Sequence, residues 1–197
     1  MIECQDVSFS YPASTLPDSE RQAGSALKHI SCTIEDGSFV LLCGTSGCGK
    51  TTMTRLFNGL IPHYHEGTYT GSVYLDGKDT RDLSLFDISL KVGSVFQNPR
   101  SQFFNVDTTS ELAFGPENHG MPEDIVRDRV KRVAAQLKLE PLLDRSIFSI
   151  SGGEKQKIAC GSAAAIDPDV YVLDEPSSNL DAYAIADFRQ LLFTLKS

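Results

Sequence analysis

The sequence lacks any long hydrophobic run. Its longest apolar stretches, such as residues 39–43, are far shorter than the roughly 20 residues that a membrane-spanning helix needs, so we expect no segment to cross a bilayer. Residues 1–6 contain neither a basic region nor a long apolar stretch, so a secretion signal is not expected. The sequence therefore predicts residence in the cytoplasm.

Positive charge is also scarce, with 18 Lys and Arg against 26 Asp and Glu and a net charge of -8 at pH 7. A nucleic-acid backbone would be repelled overall, so nucleic acid is not an expected partner. Cysteines are few, odd in number and without a C-x-x-C pair, which favours reduced thiols that mostly fill the core. They are Cys4, Cys32, Cys43, Cys48 and Cys160. The 197 residues, 41% of them hydrophobic, suit one domain with its own core.

The hydrophobic pattern alternates between strand and helix periods. Apolar residues at helical spacing, Val126, Val130, Val133 and Leu137, predict one amphipathic helix over residues 123–139. Residues 12–25 are polar and predict a loop. We predict strands over residues 2–11, 27–34, 39–43, 91–96 and 170–173, a hairpin over 69–79, and further helices over 50–60, 152–166 and 182–195.

A glycine-rich segment, Gly-Thr-Ser-Gly-Cys-Gly-Lys-Thr, follows the apolar residues 39–43. Glycines permit the tight backbone that turns N–H groups toward a phosphate, and the next helix adds its positive N-terminal end. Lys50 is placed to bind the β- and γ-phosphates and Thr51 to ligate Mg²⁺. A glycine turn with a chance match is the alternative. The predicted nucleotide-binding residues are Gly44, Thr45, Ser46, Gly47, Cys48, Gly49, Lys50, Thr51 and Thr52.

Two acidic residues, Asp174 and Glu175, end the apolar segment Val170–Leu173. A carboxylate at the mouth of a strand can hold a Mg²⁺-bound water without being buried unpaired. Glu175, one residue further, is placed to orient an attacking water as general base. The alternative is a solvated acidic turn.

The segment Ser151-Gly152-Gly153-Glu154-Lys155-Gln156 resembles the signature loop of ATP-binding-cassette ATPases, and residues 177–181 resemble that family's D-loop. The resemblance covers essentially the whole chain. It implies an α/β P-loop NTPase fold with a mainly parallel core sheet, an N-terminal antiparallel β subdomain and an inserted helical subdomain. Residues 1–97 and 161–197 would form the nucleotide-binding core, and residues 98–160 the helical signature subdomain.

By the same resemblance, ATP molecules with Mg²⁺ lie between this cassette and a second one in a head-to-tail dimer. Ser151, Gly152 and Gly153 would meet the γ-phosphate of the facing subunit. Gln97 would act in catalysis and, with Thr51 and Asp174, at Mg²⁺, while Tyr11 would stack on adenine. The alternatives are that the glutamine is a surface residue and that the tyrosine packs the core.

Residues 96–104 and 111–118 are similar to the ATPases of energy-coupling factor importers, which take up vitamins and cobalt or nickel. This resemblance implies a peripheral subunit at the cytoplasmic face of the membrane that hydrolyses ATP to ADP and phosphate. Region 98–118 would contact an integral membrane transport subunit. Phe103 and Phe104 would be exposed in that groove, or else buried beneath the helix over residues 123–139.

Some positions depart from the family pattern. Ile150 replaces the usual leucine, Lys157 stands where arginine is common, and Gly161 weakens a helix. The family's switch histidine follows the catalytic glutamate, whereas every histidine here precedes Asp174. We therefore expect a cassette without its C-terminal end, weakly active alone and part of a paired or fused assembly. The histidines are His29, His63, His65 and His119; we interpret the H-x-H at 63–65 as a polar loop rather than a metal site.

Two other function classes share parts of this pattern. Chromosome-maintenance and repair ATPases have the same motifs but usually insert a long coiled coil, and no sustained heptads separate Lys50 from Asp174. A non-catalytic cassette that binds nucleotide as the regulatory half of a pair also stays open, because the composite site could depend on a degenerate partner.

Overall fold

The computed structural model describes residues 1–12, 26–178 and 180–196. Its contacts divide the chain into two compact units, Met1–Ser89 and Leu90–Ser197. Each unit has its own sheet and its own buried side chains.

The first unit contains an antiparallel sheet. Its strands are β1 (Ile2–Ser10), β2 (Leu27–Ile34), β3 (Thr68–Leu75) and β4 (Lys78–Asp79), in the order β2-β1-β3-β4. Strand β1 buries alternate residues, because successive side chains of a strand point to opposite faces. The buried residues are Ile2, Cys4, Val7 and Phe9. A register shift follows Cys4 and keeps Val7 and Phe9 on the buried face.

The described part of the first unit also contains three short α-helices. They are α1 (Lys50–Phe57), α2 (Leu60–His63) and α3 (Leu85–Ser89). Helix α1 begins directly after Gly49 and buries Met53, Leu56 and Phe57. The glycine-rich segment is therefore held at the N-terminus of a packed helix.

The second unit combines a parallel strand pair with helices. In chain order its elements are β5 (Val92–Val95), α4 (Thr108–Asn118), α5 (Glu123–Gln136), α6 (Gly152–Ala165), β6 (Val170–Leu173) and α7 (Ala182–Lys196). Strands β5 and β6 run parallel with Val95 opposite Leu173. The apolar stripe of α5 is buried, as its spacing predicts. None of the helices in the described ranges is long and apolar enough to span a membrane.

Most predicted elements are confirmed within one to three residues at each end. The strands at 2–11, 27–34, 91–96 and 170–173, the hairpin at 69–79 and the four predicted helices are all present. The polar loop predicted at 12–25 lies almost entirely outside the described residues. Helices α2, α3 and α4 were not predicted, because none of them has a long apolar repeat.

The prediction of a strand at residues 39–43 is wrong, because the structure has no strand there. These residues pair with no other described strand, and Leu41 is 77% exposed. A β-strand needs a neighbour to satisfy its backbone N–H and C=O groups, and apolar composition alone cannot supply one. The glycine-rich segment therefore follows an exposed, unpaired stretch of chain.

The prediction that the cysteines mostly fill the core is also wrong. Cys4 and Cys160 are buried, whereas Cys32, Cys43 and Cys48 are exposed. Cys43 belongs to the unpaired stretch and Cys48 to the glycine-rich loop, and both segments are exposed. Cys32 lies on the edge strand β2 of the antiparallel sheet.

Candidate nucleotide site

The glycine-rich segment forms an exposed loop that ends at the first turn of α1. Gly47 and Gly49 have positive φ angles of 77° and 100°, a region that side chains disfavour. A Cβ atom on Gly49 would lie 2.5 Å from the carbonyl oxygen of Ala26. This position therefore requires glycine both for its backbone angle and for the close approach of the first unit's own backbone.

Lys50 curls back over this loop. Its Nζ donates hydrogen bonds to the carbonyl oxygens of Gly44 at 3.2 Å and Thr45 at 3.1 Å. The ammonium group is thus held beside the loop's backbone, at the positive end of α1. Thr51 is half-buried and Thr52 is buried immediately after it. The loop, a positive charge and a hydroxyl are brought together within the first unit.

Tyr11 lies beside the same helix. Its hydroxyl oxygen accepts a hydrogen bond from Arg55 Nη1 at 2.8 Å and lies 3.5 Å from Thr52 Oγ1. The ring meets Phe9 edge to face, with centroids 4.8 Å apart. Tyr11 therefore packs partly against the sheet, in line with the alternative that this tyrosine packs the core. The residue nevertheless remains half-exposed beside the start of α1. Sequence reasoning missed Arg55, because nothing local marks a contact across 44 residues.

The H-x-H pair at 63–65 does not act as one unit. His63 Nε2 is hydrogen-bonded to the backbone oxygen of Thr80 at 2.8 Å, while the His65 ring meets Tyr11. Burial, and then the charge of Arg55, lower the pKa of His65. In the ranges that the structure describes, no group of three or more His, Cys, Asp or Glu side chains could hold a metal ion.

In the second unit, the acidic pair follows β6 directly. Asp174 is buried, and its backbone N–H donates to the carbonyl oxygen of Val95 at 2.9 Å, which continues the parallel ladder by one residue. Glu175 is exposed and has a φ angle of 45°. A glutamate with positive φ is strained, and such strain is concentrated at functional sites.

Gln97 meets Glu175 across the parallel strand pair. Gln97 Nε2 donates a hydrogen bond to Glu175 Oε2 at 3.0 Å. The two residues follow β5 and β6, whose carboxyl ends lie at the same edge. The structure therefore brings together two side chains separated by 78 positions in the sequence.

Ser151 forms the N-cap of α6. Its hydroxyl accepts from the Glu154 N–H at 3.3 Å, and Glu154 Oε2 accepts from the Ser151 N–H at 2.7 Å, a capping box. Hydrogen bonds from the backbone N–H of Ser151, and then from its side chain, hold the pKa of Glu154 below its usual range. The buried Lys155 donates to the Ile150 backbone oxygen. Gly152 is exposed, so the N-terminus of a 14-residue helix is presented to solvent.

The D-loop-like segment leads into α7. The carboxylate of Asp181 accepts from the Ala184 N–H at 2.8 Å, as an N-cap does. Leu180 N–H donates to the Ser177 carbonyl oxygen at 3.2 Å. Asn179 lies outside the described residues.

The two phenylalanines after Gln97 differ in burial. Phe103 is partly buried against the core of the second unit, whereas Phe104 is 74% exposed and stacks on Phe114 with centroids 4.6 Å apart. Glu111 holds this loop: its Oε2 accepts from the backbone N–H groups of Phe104 and Asn105 at 3.0 and 2.9 Å. Of the two alternatives, exposure is therefore confirmed for Phe104, whereas Phe103 is closer to the buried alternative.

With this geometry established, comparison with known proteins identifies the class. The family profile for ABC transporters matches residues 27–178. The chain is 47% identical over 196 residues to a Treponema denticola protein named as an ABC transporter ATP-binding protein, covering 100% of this chain and 38% of that protein. It is 44% identical over 184 residues to one from Pyrococcus horikoshii, covering 92% and 61%.

Solved structures agree. The fold matches CbiO1 from Clostridium perfringens, part of the ABC transporter complex cbiONQ, with a TM-score of 0.81, 27% identity and coverage of 99% of this chain and 73% of that one. It matches the cassette MJ0796 bound to ADP and phosphate with a TM-score of 0.80, 25% identity and coverage of 100% and 83%. The chain belongs to the ABC transporter ATP-binding family, whose ATPases bind ATP with Mg²⁺.

Proposed function

We propose that this chain is the ATP-binding and ATP-hydrolysing part of an energy-coupling factor type importer for a vitamin or a metal ion. The family membership and the likeness to CbiO1 support this assignment. The chain spans 38% of the Treponema denticola relative, so activity, substrate and partners of the whole protein belong to the proposal. We also place this subunit at the cytoplasmic face of the membrane.

The first unit would hold the phosphates. The backbone from Gly44 to Cys48 is exposed. Together with the ammonium of Lys50 and the N-terminus of α1, it matches the charge and shape of a polyphosphate. Thr45, Ser46, Gly47, Cys48 and Thr52 belong to the same binding segment. Tyr11, half-exposed beside Thr52, is positioned to stack on the base.

Three oxygen-bearing side chains would hold Mg²⁺, namely Thr51, Gln97 and Asp174. Hydroxyl, amide and carboxylate oxygens are the ligands that this hard cation prefers. The bound ion would neutralise the negative charge that develops on the transferred phosphoryl group. In this proposal, residues 1–97 and 161–197 form the nucleotide-binding core, and residues 98–160 form the helical signature subdomain.

The hydrogen bond between Gln97 Nε2 and Glu175 Oε2 is the single observation that carries the catalytic assignment. It orients the carboxylate of Glu175 from the end of the neighbouring strand. General bases must be held within hydrogen-bond reach of the proton that they take. We therefore assign Glu175 as the base and Gln97 as the residue that orients it and the water.

Ser151, Gly152 and Gly153 would act on a second cassette. They lie at the exposed N-terminus of α6, which favours an anion. A dimeric cassette structure among the fold matches supports a head-to-tail partner. In our proposal this helix end contacts the γ-phosphate bound by the facing cassette.

The loop around Phe104 would contact the membrane subunit. Phe104 projects from region 98–118 with a stacked ring beneath it, and the buried carboxylate of Glu111 fixes its backbone. An exposed aromatic on a fixed loop suits burial by a partner helix. Closure of the cassette dimer on ATP, and its reopening after hydrolysis, would move that helix.

Glu175→Gln in the intact protein tests the catalytic assignment. We expect ATP affinity to be retained while hydrolysis falls about 100- to 10,000-fold, because the amide cannot accept the proton. The matched control is Glu117→Gln on the exposed end of α4, which should hydrolyse ATP at the normal rate. Rapid multiple turnover by Glu175→Gln would remove the residue from this role. Binding without hydrolysis by the wild-type assembly would instead favour the regulatory cassette.

The membrane contact needs its own experiment. Phe104→Ser should reduce copurification of the protein with its native membrane subunits, because the exposed ring is removed. Ile125→Ser removes a comparably apolar, 43% exposed side chain from α5 and should have no such effect. Unchanged copurification of Phe104→Ser would contradict the proposed contact surface.

A further inference from the structure

Cys4 and Cys32 lie directly opposite each other in the antiparallel pair β1–β2. Opposed residues of such a pair have Cα atoms about 4.5–5.5 Å apart, which lies inside the range of about 4.4–6.8 Å found for disulfides. Their side chains stand on the same face of the sheet. This strand register therefore makes the two thiols direct neighbours across the strand pair.

A disulfide also requires the Cβ atoms of Cys4 and Cys32 to come closer than they usually are in a sheet, and strand β2 can make this movement. Opposed Cβ atoms are about 4.5–5.5 Å apart in a sheet, against about 3.5–4.5 Å in a disulfide. Strand β2 is the edge strand and its neighbour in the sheet is β1. A register shift between Cys4 and Val7 interrupts the ladder immediately after the pair. An irregularity disrupts the ladder locally, and among the described residues β2 has a ladder on one side only. A small approach of β2 toward β1 at this pair therefore disturbs few hydrogen bonds.

The two thiols differ in their access to solvent. Cys32 is exposed, whereas Cys4 is 2% exposed. Burial, together with the neighbouring Cys32, raises the pKa of Cys4 to about 12. At neutral pH Cys4 is therefore a protonated thiol inside the sheet, and Cys32 is the thiol that a reagent in solution meets first.

We propose that Cys4 and Cys32 form a reversible cross-strand disulfide site whose oxidant is a small disulfide of the glutathione class. The Cys32 thiolate attacks one sulfur of the small disulfide, and the first small thiolate leaves. Cys4 then gives its proton to that thiolate and attacks the Cys32 sulfur. The second small thiolate leaves and takes up the proton that Cys32 had released. Two protein thiols are oxidised, and one small disulfide is reduced to two thiols.

The other thiols lack this arrangement. Cys43 and Cys48 are exposed but belong to the unpaired stretch and the glycine-rich loop, with no strand partner in the described ranges. Cys160 is fully buried in α6, and burial strongly raises its pKa. A small oxidant can therefore react with each of the exposed thiols Cys32, Cys43 and Cys48. At Cys32 it finds a second thiol, Cys4, opposite in the strand register and able to complete a disulfide.

The experiment treats the intact protein with oxidised glutathione under native conditions. Unreacted thiols are then alkylated, and peptides are identified by mass spectrometry without reduction. We expect a peptide pair joined through Cys4 and Cys32, absent after treatment with a reducing thiol. The double variant Cys43→Ser/Cys48→Ser should form the same link. Cys32→Ser, a change on the exposed edge, should form none.

Cys4→Ala distinguishes a resolving role from simple exposure. Without the buried thiol, Cys32 should accumulate as a stable glutathione adduct, whereas in the wild type that adduct should be transient. The proposal is overturned if the Cys32 adduct persists in the wild type at the same level. It is also overturned if Cys32 links to Cys43 or Cys48 instead, or does not react at all. If Cys4→Ala fails to fold, Cys32→Ser still tests the proposal, because this exposed-edge variant should form no disulfide with Cys4.

Discussion

The buried carboxylate of Glu111 should stabilise the loop that carries Phe104, and removing it should be costly. Glu111 is 2% exposed, and its Oε2 accepts three hydrogen bonds, from two backbone N–H groups and from Asn105 Nδ2 at 3.3 Å. In Glu111→Ala, the N–H groups of Phe104 and Asn105 lose their acceptor. An unsatisfied buried donor costs about 1–3 kcal/mol.

Both donors are only partly buried, so the lower half of that range applies to each. We therefore expect Glu111→Ala to lower the free energy of unfolding of the second unit by about 2–4 kcal/mol. Glu111→Gln keeps an acceptor oxygen but loses the charge, so its cost should be about 1 kcal/mol. Glu117→Ala, on the exposed end of the same helix, should cost less than about 0.5 kcal/mol.

Two measurements check this prediction. Urea denaturation gives the change in unfolding free energy, and amide hydrogen exchange reports the two N–H groups directly. Exchange at Phe104 and Asn105 should accelerate in Glu111→Ala and stay unchanged in Glu117→Ala. If exchange at these amides is unchanged in Glu111→Ala, or if its unfolding cost equals that of Glu117→Ala, the carboxylate does not hold the loop.

Two further predictions concern α6. Ser151→Ala should cost about 1 kcal/mol of unfolding free energy, because the cap of the helix is lost. The pKa of Glu154 is lowered in the folded state by hydrogen bonds from the backbone N–H of Ser151 and then from its side chain. The stabilisation by Glu154 is therefore present above the unfolded value of about 4.3 and is lost as pH falls further. Ser151→Ala keeps the backbone hydrogen bond but loses the side-chain one, so it should weaken this acid dependence in denaturation curves, and an unchanged profile would contradict the link. Gly161→Val should lower the free energy of unfolding by about 1–3 kcal/mol, because a Cβ there would lie 2.7 Å from side-chain atoms of Leu112 and Leu139. The control is Gly152→Ala, whose added Cβ meets no atom within 4 Å. Thermal denaturation of the two variants measures the difference, and equal midpoints would refute the prediction.

Local sequence signals predicted most elements because they act over a few residues. The apolar stripe of α5 has a helical period, and Val126, Val130 and Val133 are buried as that period requires. Gly47 and Gly49 have the positive φ angles that a phosphate-binding turn needs. The glycine at 161, which weakens a helix by propensity, is explained by close packing in the core, a reason that no local rule contains.

Where contacts cross the sequence, local rules failed. The apolar residues 39–43 predict a buried strand, but burial depends on a partner strand, and none of the described residues provides one. Phe103 and Phe104 are adjacent and chemically identical, yet one packs against the core and the other is exposed. Their difference arises from the direction of the loop, which the buried carboxylate of Glu111 fixes.

The sequence by itself determined the chemistry of this protein. The glycine-rich segment, the acidic pair and the Ser-Gly-Gly signature identify an ATP-binding cassette, because phosphate binding needs those residue types at short, fixed spacings. Tertiary structure alone decided which distant groups meet. Gln97 reaches Glu175 because β5 and β6 are parallel neighbours, and Cys4 faces Cys32 because β1 and β2 share one register. Such pairings depend on how strands align in space, and hydrophobic spacing within a single segment carries no information about that alignment.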